Sequence, residues 1–125
     1  NTMIAAVIHL SNSTEEMGCF RIIPGSHKLG CLKSSDGHKH NPEIHSKYKL
    51  DEAYPVLANP GDVLFFHCCS LHGSMANTSL DPRKTILVQL YSGKDKIIKG
   101  NTHTNAQLVL RGFNYYSTRK SVDVN

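Results

Sequence analysis

The sequence predicts a mainly β chain, a sandwich or jelly roll, on three observations. Short runs rich in β-branched and aromatic residues recur at 3–10, 18–23, 54–58, 63–69 and 85–91, punctuated by Gly, Pro, Asn and Ser. The 125 residues leave room for one domain and carry no internal repeat. No apolar stretch is long enough for a membrane-spanning helix.

The elements follow in order. Residues 3–10 read as a strand that ends at the polar turn Ser11-Asn12-Ser13-Thr14, and 18–23 as a second, stopped by Pro24-Gly25. Residues 30–53 are polar and rich in Lys, His and Ser; they predict a long excursion with a short helix around 43–50. An excursion of that length and polarity is the candidate lid or substrate loop. A short strand at 54–58 leads into Asn59-Pro60-Gly61-Asp62, where proline presets φ and glycine supplies a positive φ to reverse the chain. Residues 63–69 (Val-Leu-Phe-Phe-His-Cys-Cys) are apolar at alternate and adjacent positions alike, so burial on both faces is expected. Residues 85–91 are expected to form the next buried strand. After Gly93 the pattern weakens: 106–110 is apolar, whereas 101–105 and 117–125 are polar and read as loose.

Composition narrows the function classes. Fourteen Lys and Arg against ten Asp and Glu give +4, with the excess late in the chain at Lys94, Lys96, Lys99, Arg111, Arg119 and Lys120. No aromatic residues interleave them in a nucleic-acid-binding pattern, so they read as solvated charge and no nucleic-acid partner is expected. Cys19, Cys31, Cys68 and Cys69 show no C-x-x-C zinc spacing. Cys68 and Cys69, as neighbours in an extended strand, point to opposite faces and read as small buried hydrophobes. A reducing, intracellular setting, cytoplasmic or organellar, fits such cysteines. Residues 2–8 lack the basic flank of a signal peptide, and the last five residues are not a peroxisomal signal. The sequons at Asn12 and Asn77 matter only in a secreted chain.

Histidine is the commonest transition-metal ligand, and eight of them stand in this chain. His38 and His40 form a His-x-His pair in the polar excursion, where solvated surface competes with metal binding. His67 and His72 lie at or just past the end of a buried strand, where a scaffold can aim side chains into a cavity. Each is open to two readings, a hydrogen-bonded structural residue or a ligand. Arg83 precedes the next strand; its guanidinium either holds an anion bidentately at a barrel mouth or pairs with Asp81 at the surface.

Two blocks together resemble a known family. Gly18-Cys19-Phe20-Arg21-Ile22-Ile23-Pro24-Gly25-Ser26-His27-Lys28 is the first; Pro60-Gly61-Asp62-Val63-Leu64-Phe65-Phe66-His67, with Leu71-His72-Gly73-Ser74, Asn77 and Arg83, is the second. In order and separation they resemble the phytanoyl-CoA dioxygenase-like proteins, over roughly residues 2–91. That resemblance implies a non-haem Fe(II)- and 2-oxoglutarate-dependent dioxygenase on a double-stranded β-helix, a jelly-roll (cupin-like) variant that is incomplete in this chain. Residues 1–92 would be the C-terminal part of that domain and 93–125 an extension. The implied roles are His72 as the distal iron ligand, Arg83 as the cation for the far carboxylate of 2-oxoglutarate, and Ser74 as its hydroxyl partner. His67 is not an iron ligand in the family pattern and reads as a packed or hydrogen-bonding neighbour. The implied cofactors are Fe(II), 2-oxoglutarate and O2, with a small-molecule substrate that the sequence does not select.

One departure stands out. A facial triad needs a second histidine and a carboxylate, yet no His-x-Asp or His-x-Glu occurs anywhere in the chain. With Asn rather than Met first, the expectation is a C-terminal piece of a longer oxygenase, inactive by itself. The competing expectation is a non-catalytic jelly-roll binding module that has lost its iron triad.

Overall fold

The computed structural model describes residues 3–32, 42–95, 97–98, 108–112 and 121–122. They fall into two compact units: Ile4–Leu90 makes one, and the chain ends at Asn1–Met3 and Tyr91–Asn125 make the other.

The Ile4–Leu90 unit is mainly β. Strand β1 (Ile4–His9) pairs antiparallel with β4 (Val63–His67) on one side and β6 (Thr85–Leu90) on the other. Strand β2 (Phe20–Ile22) is likewise flanked by β3 (Tyr54–Val56) and β5 (His72–Ser74), both antiparallel. Each sheet therefore has three strands, ordered β4-β1-β6 and β3-β2-β5. Their facing sides meet in a small core of Ala5, Val7, Phe20 and Phe66, with Ile22, Val56 and Leu64 packed against it. The Phe20 and Phe66 rings lie 5.0 Å apart across it. This is the expected jelly-roll class, with six strands among the described residues of the unit.

The turns form for the reasons the sequence offers. At 59–62 the Asn59 N–H donates to Asp62 Oδ2 at 2.7 Å, the Asp62 N–H returns to the Asn59 carbonyl, and Gly61 takes φ 94°. Gly18 is required twice over. Its φ is +65°, and a Cβ there would run into the Met75 carbonyl oxygen, so the backbone of the 75–77 turn closes directly on it.

Three expectations need correction. Strand β4 is not buried on both faces: Val63 is 43% and Phe65 63% exposed, while Phe66 is buried. Nor is β6 a buried strand, since Ile86 and Leu87 are 48% and 57% exposed. Both are edge strands, and only the central β1 is shielded from two sides, which is why Ala5, Ala6 and Val7 are all buried. Finally, β4 stops at His67, so Cys68 and Cys69 lie in a turn closed by Ser70 N–H to the His67 carbonyl, and the opposite-face argument does not apply.

The short helix is present as α1 (Pro42–Lys47), ending three residues before the expected limit. His38 and His40 lie outside the described residues, as does much of 101–120. In the second unit, β7 (Ile97–Ile98) pairs in parallel with β8 (Ser121–Val122). No helix among the described residues is long and apolar enough to cross a membrane.

Candidate active site

Between the two sheets lies a cleft of about 260 Å³. Val7, Phe66 and Leu87 form its apolar wall from one sheet, and Phe20, His72 and Ser74 come from the other. Arg83 closes the set just before β6. The three residues singled out in the sequence, His72, Ser74 and Arg83, thus line one cavity.

His72 opens β5, a strand that the sequence pattern did not predict because Leu71-His72-Gly73-Ser74 offers no hydrophobic alternation. Pairing makes it a strand: Ile22 sits opposite His72, Arg21 opposite Gly73 and Phe20 opposite Ser74. His72 and Ser74 therefore project to the same side as Phe20, toward the cleft. The imidazole stacks on Phe20 at 5.0 Å and 17° and leans on Phe66 at 4.7 Å and 54°. Its Nδ1 lies 2.8 Å from the Ser70 carbonyl oxygen. A carbonyl only accepts, so Nδ1 carries the hydrogen and Nε2 keeps its lone pair. Such a bond fixes the tautomer and orientation of a metal-ligating histidine.

The Arg83 end of the cleft is equally defined. Arg83 Nη2 donates to Ser74 Oγ at 2.9 Å, and Arg83 makes no ion pair with Asp81 among the described residues. The surface-pair alternative for Arg83 is not the one adopted. A guanidinium beside a hydroxyl, at the end of an apolar slot, offers the bidentate donors that a carboxylate accepts.

Two residues gain roles that sequence reasoning missed. Ser26, in the one-turn 3-10 segment Ser26–Leu29, is buried; its Oγ donates to the Ile23 carbonyl at 2.7 Å and accepts the Leu71 N–H at 2.8 Å. The Ile23 N–H in turn donates to the Leu71 carbonyl at 3.0 Å. So the serine of the first sequence block clamps the residue just before His72 in the second. Gly73 is tight as well, for a Cβ there would stand 3.0 Å from Leu50 Cδ1.

His9 is the other. It is 1% exposed, both ring nitrogens lack a partner among the described residues, and its backbone is bound to Asp62 and Gly61. Burial pushes its pKa below the ordinary value and the Arg83 charge pushes the same way, against a smaller opposite pull from Asp62. No local pattern marks it, because its burial arises from the pairing of β1 with β6.

The described part of the polar excursion does not face the cleft. Arg21 Nη1 donates to the Asp51 and Ala53 carbonyls, and Leu50 lies against Gly73, so this segment covers the far side of β3-β2-β5. His72 presents a single imidazole to the cleft. Among the described residues no group of three or more His, Cys, Asp or Glu side chains includes it. The described residues therefore place no second and third metal donors together beside His72.

The family model described as phytanoyl-CoA dioxygenase (PhyH) matches residues 1–85. The chain belongs to the phytanoyl-CoA dioxygenase family. It is 29% identical over 107 residues to the dioxygenase cdmD of Talaromyces verruculosus, covering 86% of this chain and 32% of that protein. It is also 29% identical over 114 residues to the peroxisomal phytanoyl-CoA dioxygenase of Rattus norvegicus, covering 84% and 33% respectively. Among solved structures, the non-haem α-ketoglutarate-dependent epimerase SnoN from nogalamycin biosynthesis superposes with a TM-score of 0.54 at 25% identity, over 70% of this chain and 34% of that one. The chain thus spans about a third of the length of these relatives.

Proposed function

We propose that this chain supplies the distal histidine and the cosubstrate carboxylate pocket of a non-haem Fe(II)- and 2-oxoglutarate-dependent dioxygenase. The whole protein hydroxylates a small organic or acyl-CoA-type substrate with O2 and releases succinate and CO2. The observation that carries the reading is the Arg83 Nη2 to Ser74 Oγ contact of 2.9 Å in the cleft that His72 lines.

Each residue has a defined task. Arg83 binds the far carboxylate of 2-oxoglutarate through its paired N–H donors, and Ser74 adds a hydroxyl from β5 of the facing sheet. His72 presents Nε2, held by the Nδ1 bond to Ser70 and by the Phe20 stack. Val7, Phe66 and Leu87 give the slot an apolar wall beside these polar groups. No His-x-Asp or His-x-Glu stands in the sequence to complete a facial set with His72. An intracellular setting goes with this reading, since Fe(II) and thiols persist where conditions are reducing.

Because no metal-ligand group among the described residues includes His72, a second reading is a jelly-roll binding module that keeps the carboxylate pocket and performs no oxidation. Calorimetry with 2-oxoglutarate on the natural polypeptide, wild type and Arg83→Ala, tests the pocket itself. A charge-assisted bond of about 1.5–3 kcal/mol predicts a loss of roughly tenfold or more. Equal affinity in both proteins removes Arg83 from the pocket. Succinate formation dependent on Fe(II) separates the enzyme from the binding module.

A further inference from the structure

Outside the cleft, one cluster of side chains among the described residues carries metal-binding chemistry. We propose that His67, Cys68 and Cys69 form a second, thiolate-based metal site for Zn(II), with His27 as the fourth ligand.

The turn that ends β4 creates it. Because the strand stops at His67 and the chain folds back through the Ser70 N–H to His67 carbonyl bond, the two cysteines no longer alternate across a sheet. Their sulfurs come to 3.8 Å, and Cys68 Sγ lies 3.9 Å from His67 Nδ1. One ligand atom from each of the three residues falls within 4.8 Å of the others, and all three residues are half-buried. A tetrahedral ion with zinc–sulfur bonds of about 2.3 Å has sulfur–sulfur edges of about 3.8 Å. The two thiols are already at that spacing.

His67 is prepared for the role. Its Nδ1 accepts the Cys69 N–H at 3.1 Å, so the lone pair already points into the turn, and a bound ion takes the place of that hydrogen. The His27 ring lies 5.6 Å from the His67 ring, tilted by 43°. Two imidazoles on one tetrahedral ion have centroids about 5 Å apart. A small movement of the exposed His27 completes the shell.

The ligand set selects the metal. Two thiolates and imidazole suit Zn(II), and their two negative charges neutralise it, whereas Fe(II) in the cleft goes with imidazole and carboxylate. The site is separate from the cleft, because His67, Cys68 and Cys69 are not among its lining residues. In register His67 stands opposite Ile4, on the side of its sheet away from Phe66. Zinc there ties the end of β4 to the turn that carries His27, and with it the Ser26 clamp next to His72. Binding converts two thiols to thiolates and releases two protons.

Cobalt(II) is the probe, titrated into the reduced protein and then displaced by Zn(II). The expected result is a thiolate-to-cobalt charge-transfer band with tetrahedral ligand-field bands, saturating at one equivalent. The band is lost in the Cys68→Ser/Cys69→Ser double variant, weakened several-fold in affinity by His27→Ala and retained in His72→Ala. Absence of the band, its survival in the double variant or its loss in His72→Ala overturns the proposal. Unmutated protein gives an independent reading: Zn(II) should protect Cys68 and Cys69 from iodoacetamide, as peptide mass spectrometry reports. Equal alkylation with and without zinc also overturns it.

Discussion

The two sheets of the Ile4–Leu90 unit have the same strand number and antiparallel pairing, yet they treat their outer faces differently. In β3-β2-β5 the face away from the cleft is covered: Leu50 lies on Gly73, and Arg21 reaches the Asp51 and Ala53 carbonyls as well as Glu15. In β4-β1-β6 the corresponding face is apolar and open, with Ile4, Val63, Phe65 and Ile86 all more than 40% exposed. The covered sheet holds His72 and Ser74. The open sheet contributes an apolar wall and, just before its last strand, Arg83. Polar groups that must hold one orientation sit where the backbone is fixed from both sides, while an apolar wall needs only volume and shape.

That contrast can be broken, beginning where the largest effect is expected. Gly18→Ala forces a side chain onto the Met75 carbonyl at a left-handed φ, and should cost roughly 3 kcal/mol. Gly25→Ala, also at positive φ but with open space around it, should cost clearly less. Thermal melts of the pair separate close approach from φ alone, and equal losses would discard the close-approach argument. Next, Phe66→Ala in the core should lose about 3 kcal/mol, whereas Phe65→Ser, one residue away on the open face, should stay within about 0.5 kcal/mol. Denaturant midpoints decide between them; a matching loss for Phe65→Ser means that the outer face is buried in solution.

Ser26→Ala leaves the Leu71 N–H without its partner, while the Ile23 carbonyl keeps the backbone N–H at position 26, and should cost about 2 kcal/mol. It should also weaken 2-oxoglutarate binding less than Arg83→Ala does, because it acts through the position of β5. A calorimetric result in the reverse order would contradict that assignment.

The smallest effect concerns pH. His9 is neutral and buried with its pKa lowered, so below the ordinary value of 6.5 the unfolded chain takes up a proton that the folded chain refuses. Stability should therefore fall as pH drops through 6.5 toward the lowered value, and be fully present above 6.5. His9→Leu should flatten that acid-side decline, and an unchanged slope would show that His9 does not titrate differently on folding.

Much of this was legible in the residues. The β-branched and aromatic runs located β1, β2, β3, β4 and β6, and the Pro-Gly and Asn-Pro-Gly-Asp signals marked turns between them. The paired blocks led to His72, Ser74 and Arg83, which the fold brings to one cleft. Strand β5 was not legible because its hydrogen-bond partner, β2, lies about fifty residues earlier, and a three-residue strand carries no periodicity of its own. The turn at Cys68 was hidden for a related reason: an apolar run has no internal mark where a strand must stop. The exposure of β6 depended on its place at the sheet edge, which composition does not record.

The sequence by itself determined the β class, the turns and the chemical types in the site, since these depend on φ preferences, apolar content and the identity of a few side chains. Only the tertiary structure decided which faces are covered, which tautomer His72 adopts, that His9 is buried without a partner among the described residues and that two adjacent thiols lie on the same side. Each of these depends on contacts between residues far apart in the chain or on where one strand ends. Such contacts form only when the whole sheet closes, and no window of local sequence contains them.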